Sequence, residues 1–224
     1  MTGSQAATPA ELDTRVRLKR VARRLFAERG FRNVTVREVA KAAGQKNHGA
    51  VGYHFGAKEA LAREILVDGA VVIEGRRTAM LDAMEARGDP PTVRELVEAI
   101  ILPSVELKSD EPDETQYFSR FLLDLSTNHP VMMLEALEGR WNVGYQRCLR
   151  LLRPLMPDLT LAEKNRRFVL MGSYLGAVLA LRESFLADRS RGHPTWRSES
   201  ALQDIIETTA AILTAPRPAR PAGG

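Results

Sequence analysis

The chain of 224 residues is long enough for one large domain or two small ones, and 44% of its residues are apolar. Its one cysteine excludes an intramolecular disulfide and fits a reducing compartment. The N-terminus lacks the basic start and apolar run of a signal peptide, and the apolar run at 168–181 is too short to span a bilayer. We therefore expect a cytoplasmic protein without membrane contact.

Positive charge is concentrated near the N-terminus. Residues 11–61 contain twelve Lys and Arg against five Asp and Glu, a balance of +7, so the rest of the chain carries −3 of the total of +4. A basic N-terminal segment followed by a slightly acidic remainder indicates that the N-terminal segment binds a polyanion. A solvated basic helix face would give the same balance, although Arg15 and Arg17 could reach a nucleic-acid backbone.

Helical periodicity runs through almost the whole sequence between two predicted disordered tails, 1–10 and 215–224. The first helix is predicted at about 12–29, with an apolar stripe along one face and an end at Gly30. Thr35 is the predicted N-cap of a second helix, which Gly44 ends after about two turns. Glu38 stands where the carboxylate partner of a capping box is expected.

The remaining elements are predicted from the same signals. Asn47 is the expected N-cap of a third short helix that ends near Phe55, and a fourth helix follows Gly56 as far as about Arg87. Beyond the break GDPPT, helices are predicted at about 92–107, 114–127, 131–152, 160–188 and 199–214. Pro103 is expected to kink or divide the first of these, and Thr160 with Glu163 predicts a second capping box.

The segment 43–61, AGQKNHGAVGYHFGAKEAL, contains four glycines in a region that is otherwise helical. Each glycine inside a helix costs about 1 kcal/mol relative to alanine. Two short helices joined at a glycine turn predict a helix-turn-helix, whose second helix enters the major groove of DNA. Small residues on that helix let its backbone approach base edges and phosphates. Lys58, in the first turn of the next helix, can hold a phosphate.

Four stretches resemble the TetR family of bacterial transcriptional regulators. They are LFAERGF at 25–31, TVREVA at 35–40, AG at 43–44 and YHFGAKEAL at 53–61, in the family's order and spacing. The resemblance implies an all-helical homodimer with an N-terminal DNA-binding domain and a C-terminal domain that dimerises and binds a small effector. It also implies repression that the effector releases.

The sequence departs from the family pattern at two points. One residue more than usual separates Ala43-Gly44 from Phe55, and we place it in the turn around Gln45-Lys46. Gly52 stands where many members carry a larger side chain.

The predicted fold class is all-α, with an N-terminal three-helix DNA-binding domain at 11–57. A C-terminal helical domain for effector binding and dimerisation follows at 58–214. The expected partner is double-stranded DNA with a palindromic operator, where Asn47 and His48 contact bases while Tyr53 and Lys58 contact phosphates. The full set of predicted DNA contacts is Thr35, Arg37, Lys46, Asn47, His48, Gly49, Ala50, Gly52, Tyr53, His54 and Lys58.

Aromatic and Met-rich helix faces in the C-terminal half are candidates for an apolar effector pocket, and ordinary core packing is the alternative. Trp141 and Tyr145 are expected four residues apart on one helix face. Cys148 is predicted to be a small buried residue rather than a redox sensor. The candidate pocket residues are Phe118, Phe121, Leu122, Trp141, Tyr145, Met171, Tyr174 and Leu175.

The helix that begins after Thr160 has two apolar faces, of which one monomer can bury only one. We therefore predict a homodimer built by this helix and by the helix at 199–214. A stripe of small residues, Gly172, Gly176 and Ala180, is expected to let the two copies approach closely.

No enzyme, metal or cofactor site is predicted. The sequence shows no glycine-rich phosphate loop, no nucleophile elbow and no clustered Cys/His ligands. His54 and His48 fall on different helix faces, so a DNA contact is favoured over metal binding. The alternative to a DNA-binding regulator is an all-α small-molecule carrier whose basic N-terminal segment is incidental. Such a carrier would show no salt-dependent binding to duplex DNA.

Overall fold

The computed structural model describes residues 9–47, 49–105, 117–137, 139–188, 190 and 192–217. All regular elements in these ranges are helical, which confirms the all-α prediction. The helices are α1 (Pro9–Arg29), α2 (Val36–Ala42), α3 (Ala50–Phe55), α4 (Lys58–Arg87), α5 (Val93–Val105), α6 (Phe118–Asn128), α7 (Pro130–Leu137), α8 (Val143–Leu152), α9 (Leu161–Ala187), α10 (Pro194–Arg197) and α11 (Glu199–Thr214). Of the predicted tails at 1–10 and 215–224, residues 1–8 and 218–224 lie outside the described residues, whereas residues 9 and 10 belong to α1. The end of the helix predicted at 92–107 and the start of the helix predicted at 114–127 also lie outside them.

Both predicted capping boxes are present. The Thr35 hydroxyl accepts from the Glu38 N–H at 3.3 Å, and the Glu38 carboxylate accepts from the Thr35 N–H at 2.8 Å. Thr160 and Glu163 repeat this exchange at the start of α9. Each pair satisfies two N–H groups that the helix itself leaves unpaired.

The helix predicted at 131–152 is wrong as a single element, because the chain forms α7 and α8 with a break between them. Gly139 has φ +71° in this break, a conformation that favours glycine and cannot continue a right-handed helix. Trp141 therefore lies in the connection and not on a helix face with Tyr145. The short α10 was not predicted.

Contacts divide the chain into two compact units. Unit 1 comprises the described residues within Met1–Gly69 and Lys108–Leu137. In it α6 packs on α1, with the Phe26 and Phe121 rings stacked at 5.8 Å between centroids. Phe118 lies against Gly69, where an added Cβ would come within 2.2 Å of the ring. Phe118 and Phe121, two of the candidate pocket residues, are thus buried in the core of unit 1.

Unit 2 comprises the described residues within Ala70–Leu107 and Glu138–Gly224. Its core forms where α5 packs on α8 and α11, and α11 on α9. Met171 and Leu175 are buried in this core, and Tyr145 and Tyr174 pack at its edge. Cys148 is fully buried as predicted, and its burial raises the pKa of the thiol to about 11.

A buried ion pair, Glu74 with Arg77, links α4 to two other helices of unit 2. The two residues are only 8% and 6% exposed. Glu74 Oε2 accepts from the Gly144 N–H, in the first turn of α8, at 2.6 Å. An added Cβ on Gly144 would lie 2.9 Å from the same oxygen, so glycine permits this approach. The carboxylate therefore also satisfies an N–H at the start of α8.

Arg77 donates a hydrogen bond to a backbone carbonyl that has no helical donor because of a proline. Pro103 lies inside α5 and has no N–H to donate to the carbonyl four residues earlier, which is Ala99. Arg77 Nε donates to Ala99 O at 3.1 Å, and Nη2 donates to Ile100 O at 3.3 Å. Pro103 thus stays within a single helix, and a cation from α4 replaces the lost hydrogen bond.

Helix α9 has the two apolar faces that its sequence predicts. Phe168, Met171 and Leu175 are buried in the core, whereas Val169 and Leu170 are 67% and 56% exposed. Ala180 is buried instead of continuing the outer stripe of small residues, because it falls on the core side of the helix. Within the described chain α9 is the one helix long and apolar enough to cross a membrane, at a mean hydropathy of 1.3.

Candidate nucleic-acid interface

Helix α2 is fixed at its start by an exposed polar cluster. Arg29 Nη2 donates to Glu38 Oε1 at 2.6 Å, and the Thr35 hydroxyl donates to Glu38 Oε2 at 2.7 Å. The hydrogen bonds from Thr35 and Arg29 lower the pKa of Glu38 to about 2. Arg37 is exposed and makes no hydrogen bond or ion pair with any described residue, so its charge is available to an external anion.

The turn between α2 and α3 begins at Gly44, which has φ +69°. The prediction that Asn47 is the N-cap of α3 is wrong, since that position belongs to Gly49. Asn47 Oδ1 accepts from the Gly49 N–H at 2.8 Å and so forms a local turn three residues before the helix begins. Lys46 is exposed, and His48 lies outside the described residues.

Helix α3 has an inner and an outer face. Ala50, Val51 and Phe55 are buried, so the Ala50 side chain belongs to the core of unit 1 rather than to the outer surface. On the outer face Tyr53 is 75% exposed. Gly52 beside it has ordinary φ, and an added Cβ there would meet nothing within 4 Å. Packing within the protein therefore does not require glycine at this position.

The Tyr53 ring is oriented from two sides. Its hydroxyl donates to Glu11 Oε1 at 3.1 Å, and its edge meets the half-buried His54 ring at 4.9 Å between centroids. The hydrogen bond to the Glu11 carboxylate raises the pKa of Tyr53, so the phenol stays protonated at neutral pH. Its one O–H is donated to Glu11, so a contact with a phosphate oxygen requires the hydroxyl to leave this carboxylate.

Lys58, at the start of α4, has internal partners that the sequence did not reveal. Its Nζ donates to the carbonyls of Phe31 and Val34, both at 3.0 Å, and lies 4.3 Å from the centre of the Phe31 ring. The ammonium thus holds the turn before α2 against α4. Its contact with a phosphate stays a prediction and requires the side chain to share or leave these carbonyls.

Arg15 makes contacts within the same region although its side chain is 30% exposed. Its sequence context suggested at most a contact with the nucleic-acid backbone. Its guanidinium donates to the carbonyl of His54 and to both carboxylate oxygens of Glu64, at 2.7 and 2.6 Å. Its charge and its position on α1 are visible in the sequence, but its partners lie 39 and 49 residues away. Helical periodicity carries no information about such pairs.

The candidate effector residues fall into both units: Phe118, Phe121 and Leu122 lie in unit 1, and Trp141, Tyr145, Met171, Tyr174 and Leu175 lie in unit 2. A shallow hollow of about 240 Å³ in unit 2 contains none of them. Its lining consists of Leu81, Met84, Glu85, Gly88, Asp89, Pro90, Pro91 and Leu151. In the described ranges no three His, Cys, Asp or Glu side chains cluster in a way that could hold a metal ion.

Comparison with known proteins places the helix-turn-helix in a family. Residues 19–65 match the model of the bacterial regulatory proteins of the tetR family. The chain is 32% identical over 111 residues to the HTH-type transcriptional repressor AcnR of Corynebacterium glutamicum, covering 48% of this chain and 57% of AcnR. It is 44% identical over 59 residues to the HTH-type transcriptional repressor KstR2 of Rhodococcus jostii, covering 26% of this chain and 28% of KstR2.

The aligned region thus spans little more than half of one relative and less than a third of the other. Among solved structures, the TetR family transcriptional regulator PfmR from Thermus thermophilus superposes with a TM-score of 0.48 at 21% identity, covering 90% of this chain and 100% of PfmR. The family model confirms the predicted resemblance. The match covers residues 19–65, which contain the helix-turn-helix, so this segment is similar to the bacterial regulatory proteins of the tetR family.

Proposed function

We propose that this protein is a DNA-binding transcriptional regulator in which α3 is the recognition helix. The observation that carries the proposal is Tyr53, a large aromatic side chain that is 75% exposed on a helix of only six residues. Core packing does not account for an aromatic ring in this position, whereas a phosphate or base partner does.

The surroundings of Tyr53 support the same conclusion. Gly52 costs helix stability without filling any steric need of the protein, and it leaves room for a partner to approach the α3 backbone. Arg37 and Lys46, both exposed and without internal partners in the described ranges, add positive charge beside the helix. We assign Asn47 and His48 to base contacts and Tyr53, Thr35 and Lys58 to phosphates.

The functional unit is a homodimer that binds a palindromic operator. The outer apolar face of α9, which includes Val169 and Leu170, would remain exposed in a monomer. Large exposed apolar patches mark interfaces. A two-fold dimer presents two copies of α3 to successive major grooves, which requires a palindromic site. If a second copy covers this apolar face, α9 needs no membrane around it, which fits a cytoplasmic protein.

Regulation is by repression that a small, mostly apolar effector releases. The two relatives described above are both named repressors. The effector domain at 58–214 contains the apolar side chains from which such a site is built, and apolar burial would supply most of the affinity. Trp141, half-buried in the connection between α7 and α8, is the candidate pocket residue of unit 2 that is not among the described side chains packed in its core.

The proposal is tested with duplexes selected by the wild-type protein from a random pool. Fluorescence anisotropy over a series of salt concentrations measures their affinity. We expect affinity to fall steeply with salt and Tyr53→Phe to weaken all duplexes alike, because a phosphate contact carries no sequence information. Tyr174→Phe, a hydroxyl removal in unit 2, is the matched control. No enrichment of any duplex and no salt-dependent binding would favour the carrier alternative.

A further inference from the structure

We propose that Arg15 is a positioning residue for the recognition helix: its guanidinium fixes α3 against α1 and α4 and thereby sets the specificity of DNA binding. This inference rests on the proposed function. Arg15 lies on α1 and acts through α3 rather than on the nucleic acid itself.

The contacts of Arg15 span three helices of unit 1. From α1, its Nη1 donates to the carbonyl of His54 in the last turn of α3. Its Nη2 donates to both carboxylate oxygens of Glu64 on α4, at 2.7 and 2.6 Å. The guanidinium carbon lies 4.4 Å from the centre of the Phe55 ring, the last residue of α3. One side chain thus holds the end of α3 through a hydrogen bond and a stacking contact.

Helix α3 depends on external support. It has six residues, and its N-cap Gly49 offers no side-chain hydrogen bond. Isolated helices of this length are not stable in water, and their last carbonyls lack helical donors. Arg15 satisfies one of these carbonyls and places a positive charge at the C-terminal end, where the helix dipole favours it. The orientation of Tyr53, two residues before Phe55, follows from this attachment.

The arrangement requires the shape of arginine and not only its charge. The guanidinium reaches a carbonyl on one helix and a carboxylate on another with donors in a fixed plane, while its face covers an aromatic ring. A lysine ammonium is a point charge that cannot reproduce this geometry. Glu64 Oε2 also lies 3.8 Å from Lys19 Nζ, which pairs with Asp68 at 2.5 Å.

The test compares four variants by anisotropy on the selected duplex and on a shuffled duplex of the same length. Arg15→Met removes the contacts, Arg15→Lys keeps the charge, and Glu64→Gln weakens the partner. Arg24→Met removes one exposed charge from α1 that has no internal partner among the described residues. The readouts are the ratio of the two affinities and the slope of log affinity against log salt, with circular dichroism as a check of folding.

We expect Arg15→Met to lower the affinity ratio about tenfold while the salt slope stays at the wild-type value, since no phosphate contact is lost. Arg15→Lys should restore only part of the ratio. Glu64→Gln should also lower it, although removal of a negative charge would otherwise strengthen binding to both duplexes. Arg24→Met should leave the ratio unchanged.

Two results would overturn the assignment. In the first, Arg15→Met reduces the magnitude of the salt slope by about 0.9 and weakens both duplexes equally, which is the signature of a direct phosphate contact. In the second, Glu64→Gln leaves the affinity ratio unchanged or raises both affinities. This result would refute the positioning role of Arg15 even if the Arg15→Met variant does not fold. Failure of the wild type to bind any duplex would instead refute the proposed function.

Discussion

Removal of the Arg77 side chain should be among the most damaging single changes in unit 2. Arg77→Met preserves much of the volume but leaves the Glu74 carboxylate buried with only the Gly144 N–H as its partner. Loss of one member of a buried ion pair costs about 3–5 kcal/mol. The carbonyls of Ala99 and Ile100 each lose the hydrogen bond from Arg77 as well. Burial lowers the pKa of the Arg77 guanidinium, but arginine stays protonated in proteins, so the loss should be independent of pH near 7.

The assay is urea unfolding followed by circular dichroism at one protein concentration, because dimerisation would couple stability to concentration. Arg87→Met, on the same helix, breaks an exposed ion pair with Glu95 and should cost at most about 1 kcal/mol. A cost for Arg77→Met no larger than that of Arg87→Met would show that the buried pair does not hold the three helices together.

A double-mutant cycle measures the energetic coupling between Arg77 and Pro103. Pro103→Ala returns an N–H to α5, so the carbonyl of Ala99 gains a helical partner. Arg77→Met should then be less costly by about 1 kcal/mol in the Pro103→Ala background than in the wild type. Additive effects, within the roughly 0.3–0.5 kcal/mol typical of independent sites, would refute the idea that Arg77 replaces the hydrogen bond lost at Pro103.

Three further predictions concern single residues. Glu38, with its pKa lowered to about 2 by Thr35 and Arg29, should stabilise the fold fully above its ordinary value of 4.5 and lose this effect as pH falls towards 2. In the Glu38→Gln variant the urea midpoint should therefore fall less over that range, and an unchanged profile would contradict this. Cys148 should resist a thiol reagent in the native protein at pH 8 and react after unfolding, whereas rapid native reaction would show that it is accessible. Gly69→Ala should destabilise the protein by about 1–3 kcal/mol in thermal unfolding, since its Cβ would overlap the Phe118 ring; a neutral effect would mean that the ring moves freely.

Local signals predicted most of the helices. Thr35 with Glu38 and Thr160 with Glu163 marked two helix starts correctly because a capping box depends only on residues three apart. The prediction of Asn47 as an N-cap failed for a local reason as well. The residue types that cap helices also form turns by hydrogen bonding to nearby backbone groups. The 131–152 helix failed at Gly139, where the apolar pattern continued through a residue with positive φ.

The other features of the candidate site depend on contacts between residues that are far apart in the sequence. The sequence indicated Tyr53 and the small residues of α3, and the structure places Tyr53 and Gly52 on an exposed face. The internal attachments of Lys58 and Arg15 join residues 24 to 49 positions apart. They depend on how helices pack, which one sequence does not specify by periodicity. The stacking of Phe26 on Phe121 likewise shows why aromatic residues that suggest a pocket can be core.

The most direct test of α3 as the recognition helix is amide hydrogen exchange of the wild-type protein at saturation with its selected duplex, compared with the shuffled duplex. A six-residue helix exchanges quickly unless a partner covers it. We predict that protection by the selected duplex is strongest at 43–58. Protection that leaves 50–55 unchanged while the duplex is bound would contradict the account and place the DNA-binding surface elsewhere.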